Sequence, residues 1–241
     1  MGCLKANLLC VGSMVHVYNA ENKQLNLFPS DIRKHIKSLF DSLLKVDTSF
    51  LHYLKDEDND EKKQSSIIEH VERVFAYELY RQWANNLYVK RHKLVVNAEI
   101  SKQLYSTPQN KRVKLRYPDM ILHGGQSTNN NLLVCEIKRL ENIRLHKKAQ
   151  IKDLNNLSLF LYSKLKVKDN IVSWKAYRYG VYILIGNEGA LSDKGVFLQI
   201  MKKYNQDARL MVPRLRRPKI ICLGYNGDCK NVYYMTLNEL I

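Results

Sequence analysis

Tyr117-Pro118-Asp119-Met120-Ile121-Leu122 and Val134-Cys135-Glu136-Ile137-Lys138, with 16 residues between Asp119 and Glu136, are the stretches around which this 241-residue chain is organised. Each is an apolar run of strand length. Asp119 opens the first. Glu136 and Lys138 stand two apart near the end of the second, so they share one face. Between the runs lies Gly124-Gly125-Gln126-Ser127-Thr128-Asn129-Asn130, whose turn residues predict an antiparallel hairpin. A glutamate behind Leu132-Leu133-Val134-Cys135 is costly to bury without a partner, and Lys138 supplies one. A structural ion pair accounts for Glu136 and Lys138, but not for Asp119 at the same level of the adjacent strand.

Outward from the hairpin, the pattern alternates between helical and strand periods. Pro29-Ser30-Asp31 reads as a helix start with Ser30 as N-cap, followed by Ile32, Ile36, Phe40, Leu43 and Leu44 at helical spacing. Asp56 to Lys63 lacks apolar residues and reads as a linker. It divides an N-terminal appendage, residues 1–63, from a main domain, 64–241. Ser66 to Leu87 is the strongest helix, with Ile68, Val71, Phe75, Leu79 and Gln82 in one stripe. Glu72 and Glu78 border that stripe, each about 60° from Phe75.

Strands are expected at Leu94–Ile100, Lys111–His123 and Asn131–Lys138. A helix follows over Ile143–Leu165. Tyr179–Gly186 reads as a buried central strand, and Leu191–Tyr204 as a shorter helix. Final strands fall at Lys219–Leu223 and Asn231–Met235. This order predicts an α/β fold with a mixed central sheet flanked by helices.

Lys and Arg number 39 against 23 Asp and Glu, a net charge of +16. That excess favours a polyanionic partner, nucleic acid before anionic membrane. No apolar run approaches the roughly 20 residues a membrane helix needs, so no membrane partner is expected. Ala6 to Val17 is too diluted by Asn7, Ser13 and His16 for a clear signal peptide, and reads as a strand or a loosely held terminus. The five cysteines contain no CxxC pair, and the histidines show no ligand spacing. A disulfide framework and a zinc site are therefore not expected, and a cytoplasmic location is.

The combination Pro118-Asp119, a hairpin, then Glu136-Ile137-Lys138, set between helices in this order, resembles the PD-(D/E)xK nuclease superfamily, with its restriction-endonuclease-like core, over Ser66 to Gly186. The resemblance implies phosphodiester hydrolysis assisted by Mg²⁺ or Mn²⁺, with DNA as the expected substrate and endonuclease favoured over exonuclease. Asp119 and Glu136 would be oxygen ligands to the cation, joined by the backbone carbonyl of Ile137. Lys138 would orient or help deprotonate the attacking water and offset charge on the phosphate. Such enzymes often add a glutamate from the preceding helix. Glu78 is the first candidate and Glu72 the second. Glu99 lines the same pocket or stands on an exposed part of the sheet. Gln150 does not form the Q-x-x-x-Y signature of an exonuclease-like branch.

Basic residues would grip the substrate backbone. Arg139, Arg144, Lys147, Lys148 and Lys152 follow the motif. Lys164, Lys166, Lys168, Lys175 and Arg178 form a second group, and Arg214, Arg216, Arg217 and Lys219 a third. His123 is expected to be structural. Cutting both strands of a duplex takes two active sites, which suggests a homodimer or a larger complex. The rival expectation is a nucleic-acid-binding subunit of a defence, repair or transposition complex that does not cut alone. A third is an interaction protein in which Glu136 and Lys138 form only an ion pair.

Overall fold

The computed structural model describes residues 15–47, 61–98, 118–125, 130–140, 147–162, 164–167, 170–173, 176–186, 191–227 and 230–240. Strands β1 (His16–Tyr18), β2 (Leu94–Ala98), β3 (Met120–Gly124), β4 (Asn131–Arg139), β7 (Tyr179–Ile185), β8 (Ile220–Asn226) and β9 (Asn231–Thr236) form one sheet in the order β1-β9-β8-β7-β4-β3-β2. The pairs β2/β3, β3/β4, β8/β9 and β9/β1 are antiparallel, and β4/β7 and β7/β8 are parallel. The sheet is therefore mixed, with the motif strand β4 joining its antiparallel wing to its parallel centre. Helices α1 (Ser30–Leu43), α2 (Glu61–Ala84), α3 (Leu87–Arg91), α4 (Lys147–Phe160) and α5 (Lys194–Met211) complete the α/β architecture. Among the described residues, no helix is long and apolar enough to cross a membrane.

Alternation along the strands divides the core in two. Leu133, Cys135 and Ile137 of β4, Val181 and Ile183 of β7, and Leu223 of β8 face one way, packing with Ile36, Phe40, Phe75, Leu79 and Trp83 of α1 and α2. Val134, Tyr182, Leu184 and Cys222 face the other way, packing with Leu154 and Leu157 of α4 and Phe197 of α5. Each fully buried aliphatic or phenylalanine side chain stabilises by about 1.5–3 kcal/mol. Gly224 is needed for that second layer: a Cβ there would lie 2.5 Å from Phe197 Cδ2, so only glycine lets α5 approach β8 this closely.

Several element boundaries differ from the sequence expectation. Residues 15–47, placed in a separate appendage, instead give the sheet its edge strand β1 and the first core its helix α1. The N-cap of α1 is Pro29, without a side-chain capping bond, rather than Ser30. The linker segment ends inside α2, which begins at Glu61, and residues 56–60 lie outside the described residues. Helix α4 stops at Phe160. Leu165, assigned to its stripe, belongs to β5 (Lys164–Val167), which pairs with β6 (Asn170–Ser173) as a separate two-stranded sheet. A leucine three or four residues past a helical stripe fits either period, so local spacing alone did not reveal this hairpin.

Candidate active site at the end of strand β4

The expected hairpin is present, and its register sets the site. Met120 of β3 pairs with Cys135 of β4, so Asp119, one residue ahead of β3, stands opposite Glu136. The Ile137 amide donates to Asp119 Oδ2 at 2.6 Å, which ties the carboxylate to the motif strand. Because Cys135 and Ile137 face the α1/α2 core, Glu136 and Lys138 face the α4 side. Asp119 does too, two residues before Ile121 of that layer. Glu136 is buried, 4 % exposed.

Two helices add carboxylates. Glu72 of α2 accepts from the Arg139 amide through Oε1 at 2.8 Å, and its Oε2 lies 3.5 Å from Lys138 Nζ. Asp153 of α4, also buried, reaches the same lysine with Oδ2 at 3.8 Å. Helices on opposite faces of the sheet thus converge on one ammonium at the carboxyl end of β4. Glu78, the first helix candidate, lies elsewhere. It accepts from Arg81 Nε and Nη2, each at 2.7 Å, and from Gln82 Nε2 at 2.7 Å. Six residues of helix separate Glu78 from Glu72 by about 9 Å along the axis and roughly 120° around it. The stripe of Val71, Phe75 and Leu79 faces the core, so the two glutamates occupy opposite borders, and the border that turns toward β4 carries Glu72.

The electrostatics follow from this crowding. Burial raises the Asp119 pKa to about 6. Lys138 and the Ile137 amide oppose the rise, while Glu72 and Asp153 add to it. Burial works against the charged form of Lys138, but Glu72, Asp153, Asp119 and Glu136 outweigh it, and its pKa is raised. Lys138 is therefore held as an ammonium. On β7, Tyr182 pairs in register with Glu136 and shares its face. Its phenol is shifted well up by burial first and then by Asp153, Cys222, Glu72 and Glu136. The hydroxyl is buried and has no hydrogen-bond partner among the described residues.

Four carboxylates around one ammonium leave an excess of negative charge in a chain whose net charge is +16. All the donors are hard oxygens, which fits Mg²⁺ or Mn²⁺ better than a soft metal. Among the described residues, no group of three or more His, Cys, Asp or Glu side chains is drawn together as a metal site. A cation that keeps several waters is held by one or two carboxylates, and the opposed pair Asp119 and Glu136 meets that requirement.

The basic residues expected at a nucleic-acid surface divide. Lys152 and Arg214 are exposed. Arg139 is 0 % exposed, because it shares the face of Ile137, and so cannot serve as a surface phosphate contact. Arg216 is buried: its Nη1 donates to Ser158 O at 3.2 Å and Ser158 Oγ at 3.0 Å, and its guanidinium stacks over the Tyr162 ring. Arg217 Nε donates to Val212 O at 2.9 Å, beside the last residue of α5, where cations satisfy free carbonyls. These two arginines lock the 3-10 turn Arg214–Lys219 to its neighbours. Lys147 and Lys148 fall in the first turn of α4. Arg144, Glu99, Lys168 and Lys175 lie outside the described residues. His123 Nε2 contacts Asn97 Nδ2 at 2.9 Å across β2 and β3, a structural role.

Asp153 and Tyr182 were not anticipated. The signal for Asp153 was a lone carboxylate beside Leu154 in an otherwise lysine-rich helix. Tyr182 was hidden within a continuous apolar run. No family model and no curated protein matches this chain.

Proposed function

We propose that this chain is a metal-dependent nuclease of the PD-(D/E)xK type, hydrolysing phosphodiester bonds, with DNA as the first substrate class. One observation carries the reading. Asp119 is hydrogen-bonded to the backbone between Glu136 and Lys138, which joins the two halves of the motif at the end of a central strand. The hairpin beside a parallel strand, with α2 on one face and α4 on the other, supports a restriction-endonuclease-like core.

Asp119 and Glu136 would hold the cation, with the Ile137 carbonyl beside them. A bound Mg²⁺ or Mn²⁺ would polarise the phosphate and make its attached water a stronger nucleophile. The chain's own groups do the rest. Lys138, kept protonated by its carboxylate neighbours, stabilises negative charge as it builds on the phosphate oxygens and orients the water. It does not act as the general base in that state. Glu72 fixes Lys138 from the α2 side while anchored to the Arg139 amide. Lys152 on α4, which is exposed, would contact the backbone of a bound strand.

The test is cleavage of plasmid and linear DNA by purified protein with Mg²⁺ or Mn²⁺. Asp119→Asn and Lys138→Ala should lose activity while keeping the parent circular-dichroism spectrum. Cleavage by both variants at the parent rate would remove the site from these residues.

A further inference from the structure

Lys138 Nζ lies 3.5 Å from Glu72 Oε2 and 3.8 Å from Asp153 Oδ2. Both separations exceed a hydrogen bond to an ammonium, which runs about 2.7–2.9 Å. Among the described residues, the Lys138 ammonium makes no hydrogen bond, and its side chain is 20 % exposed. It is held between two charges without committing its three donors.

The two holding groups are themselves constrained. Glu72 is pinned by the Arg139 amide at 2.8 Å. Asp153 rides on α4, whose rotation is set by buried Leu154 and Leu157. Asp153 also bears electrostatically on Tyr182, whose buried hydroxyl has no hydrogen-bond partner among the described residues. A lysine has a four-carbon stem and many rotamers. A single carboxylate would draw its ammonium into contact and occupy its donors. Two carboxylates on opposite faces of the sheet oppose each other and leave it suspended between them.

We propose that Asp153 is a positioning residue, which with Glu72 suspends the Lys138 ammonium between α2 and α4 so that its donors stay available to a phosphodiester oxygen or the attacking water. The catalytic part of this inference rests on the nuclease reading; the placement of Lys138 does not.

Two measurements on the full chain separate them. The first is acylation of lysines by acetic anhydride, mapped by mass spectrometry. In the parent chain Lys138 should react at least about tenfold more slowly than exposed Lys152, since its ammonium is held between Glu72 and Asp153 and its side chain is only 20 % exposed. Asp153→Asn should raise the Lys138 rate several-fold, and Asp153→Glu should keep it low. Equal rates at Lys138 and Lys152 in the parent, which requires no variant to fold, would overturn the proposal. So would an unchanged Lys138 rate in Asp153→Asn.

The second measurement is steady-state cleavage with Mn²⁺. Asp153→Asn should lower kcat about 10- to 100-fold, with KM for DNA and Mn²⁺ affinity by calorimetry unchanged. Asp153→Glu should recover part of kcat. A fall in Mn²⁺ affinity that matches the fall in kcat would make Asp153 a ligand and overturn its positioning role. If the parent does not cut, the nuclease reading fails, and the acylation result still decides whether Asp153 holds Lys138.

Discussion

The end of β4 and the turn Arg214–Lys219 both bury charge, and they do so in opposite ways. In the turn, Arg216 and Arg217 donate to Ser158 and Val212 at 2.9–3.2 Å. Cationic donors there close off oxygens that would otherwise be orphaned. At β4, Glu72 and Asp153 stand 3.5 and 3.8 Å from Lys138 Nζ, beyond a close hydrogen bond, and Asp119 and Glu136 add to the field that favours its charged form. A structural burial of charge ends in short hydrogen bonds. A burial suited to chemistry leaves charge in tension, which raises pKa values and keeps donors free. In sequence the first region reads as a paired-carboxylate and lysine motif, the second only as a basic cluster between Pro213 and Pro218.

Substitutions can break this contrast, and the largest effect belongs to the β4 site. Asp119→Asn keeps an acceptor for the Ile137 amide but removes a carboxylate that burial already disfavours. DNA cleavage should fall on the order of 10²–10³-fold. The melting temperature should hold or rise, measured by calorimetry at pH 8. A melting temperature that falls along with the activity would put this carboxylate in the structural class.

The turn should respond in reverse. Arg216→Ala strips two hydrogen bonds and the stacking on Tyr162. It should destabilise by about 2–3 kcal/mol in urea unfolding and leave kcat within about twofold of the parent. A larger loss of kcat with little loss of stability would move Arg216 to the substrate surface.

The two glutamates of α2 sharpen the contrast within one helix. Glu72→Gln should lower cleavage about 10- to 100-fold, because it loosens Lys138. Glu78→Gln should leave cleavage and melting unchanged, since its partner Arg81 is solvent-exposed. Equal effects of the two would erase the geometric distinction drawn between them.

The smallest effect is a pH term from outside both regions. His35 is held below its ordinary pKa by burial first, then by Arg178 and His92, with Asp31 opposing. The unfolded chain therefore takes up its proton first. Stability contributed by neutral His35 is present above pH ~6.5 and is lost as pH falls through that value toward the folded pKa. His35→Asn should flatten the stability profile over this window. A parent profile that rises on acidification would contradict the sign.

The hairpin was legible because two apolar runs and the glycine- and asparagine-rich turn between them agreed. The central strand β7 was legible because seven successive apolar or glycine positions leave little else. What misled was direction around an axis. Glu72 and Glu78 are mirror positions on a helical wheel, and nothing within α2 says which border meets β4. Arg139 continues a basic run after the motif, yet strand alternation turns it into the core with Ile137. Arg216 and Arg217 read as a surface cluster because a 3-10 turn offers no periodicity from which to infer burial.

Local chemistry in the chain was enough to specify an α/β protein with a mixed sheet. It also specified a hairpin placing Asp119 against Glu136, since turn residues and short apolar runs act over a few neighbours. Long-range packing decided the rest. It chose Glu72 over Glu78, brought Asp153 and Tyr182 to β4, and turned three arginines inward. Those choices depend on which helix face meets which strand, and that is settled only when distant apolar stripes are buried together.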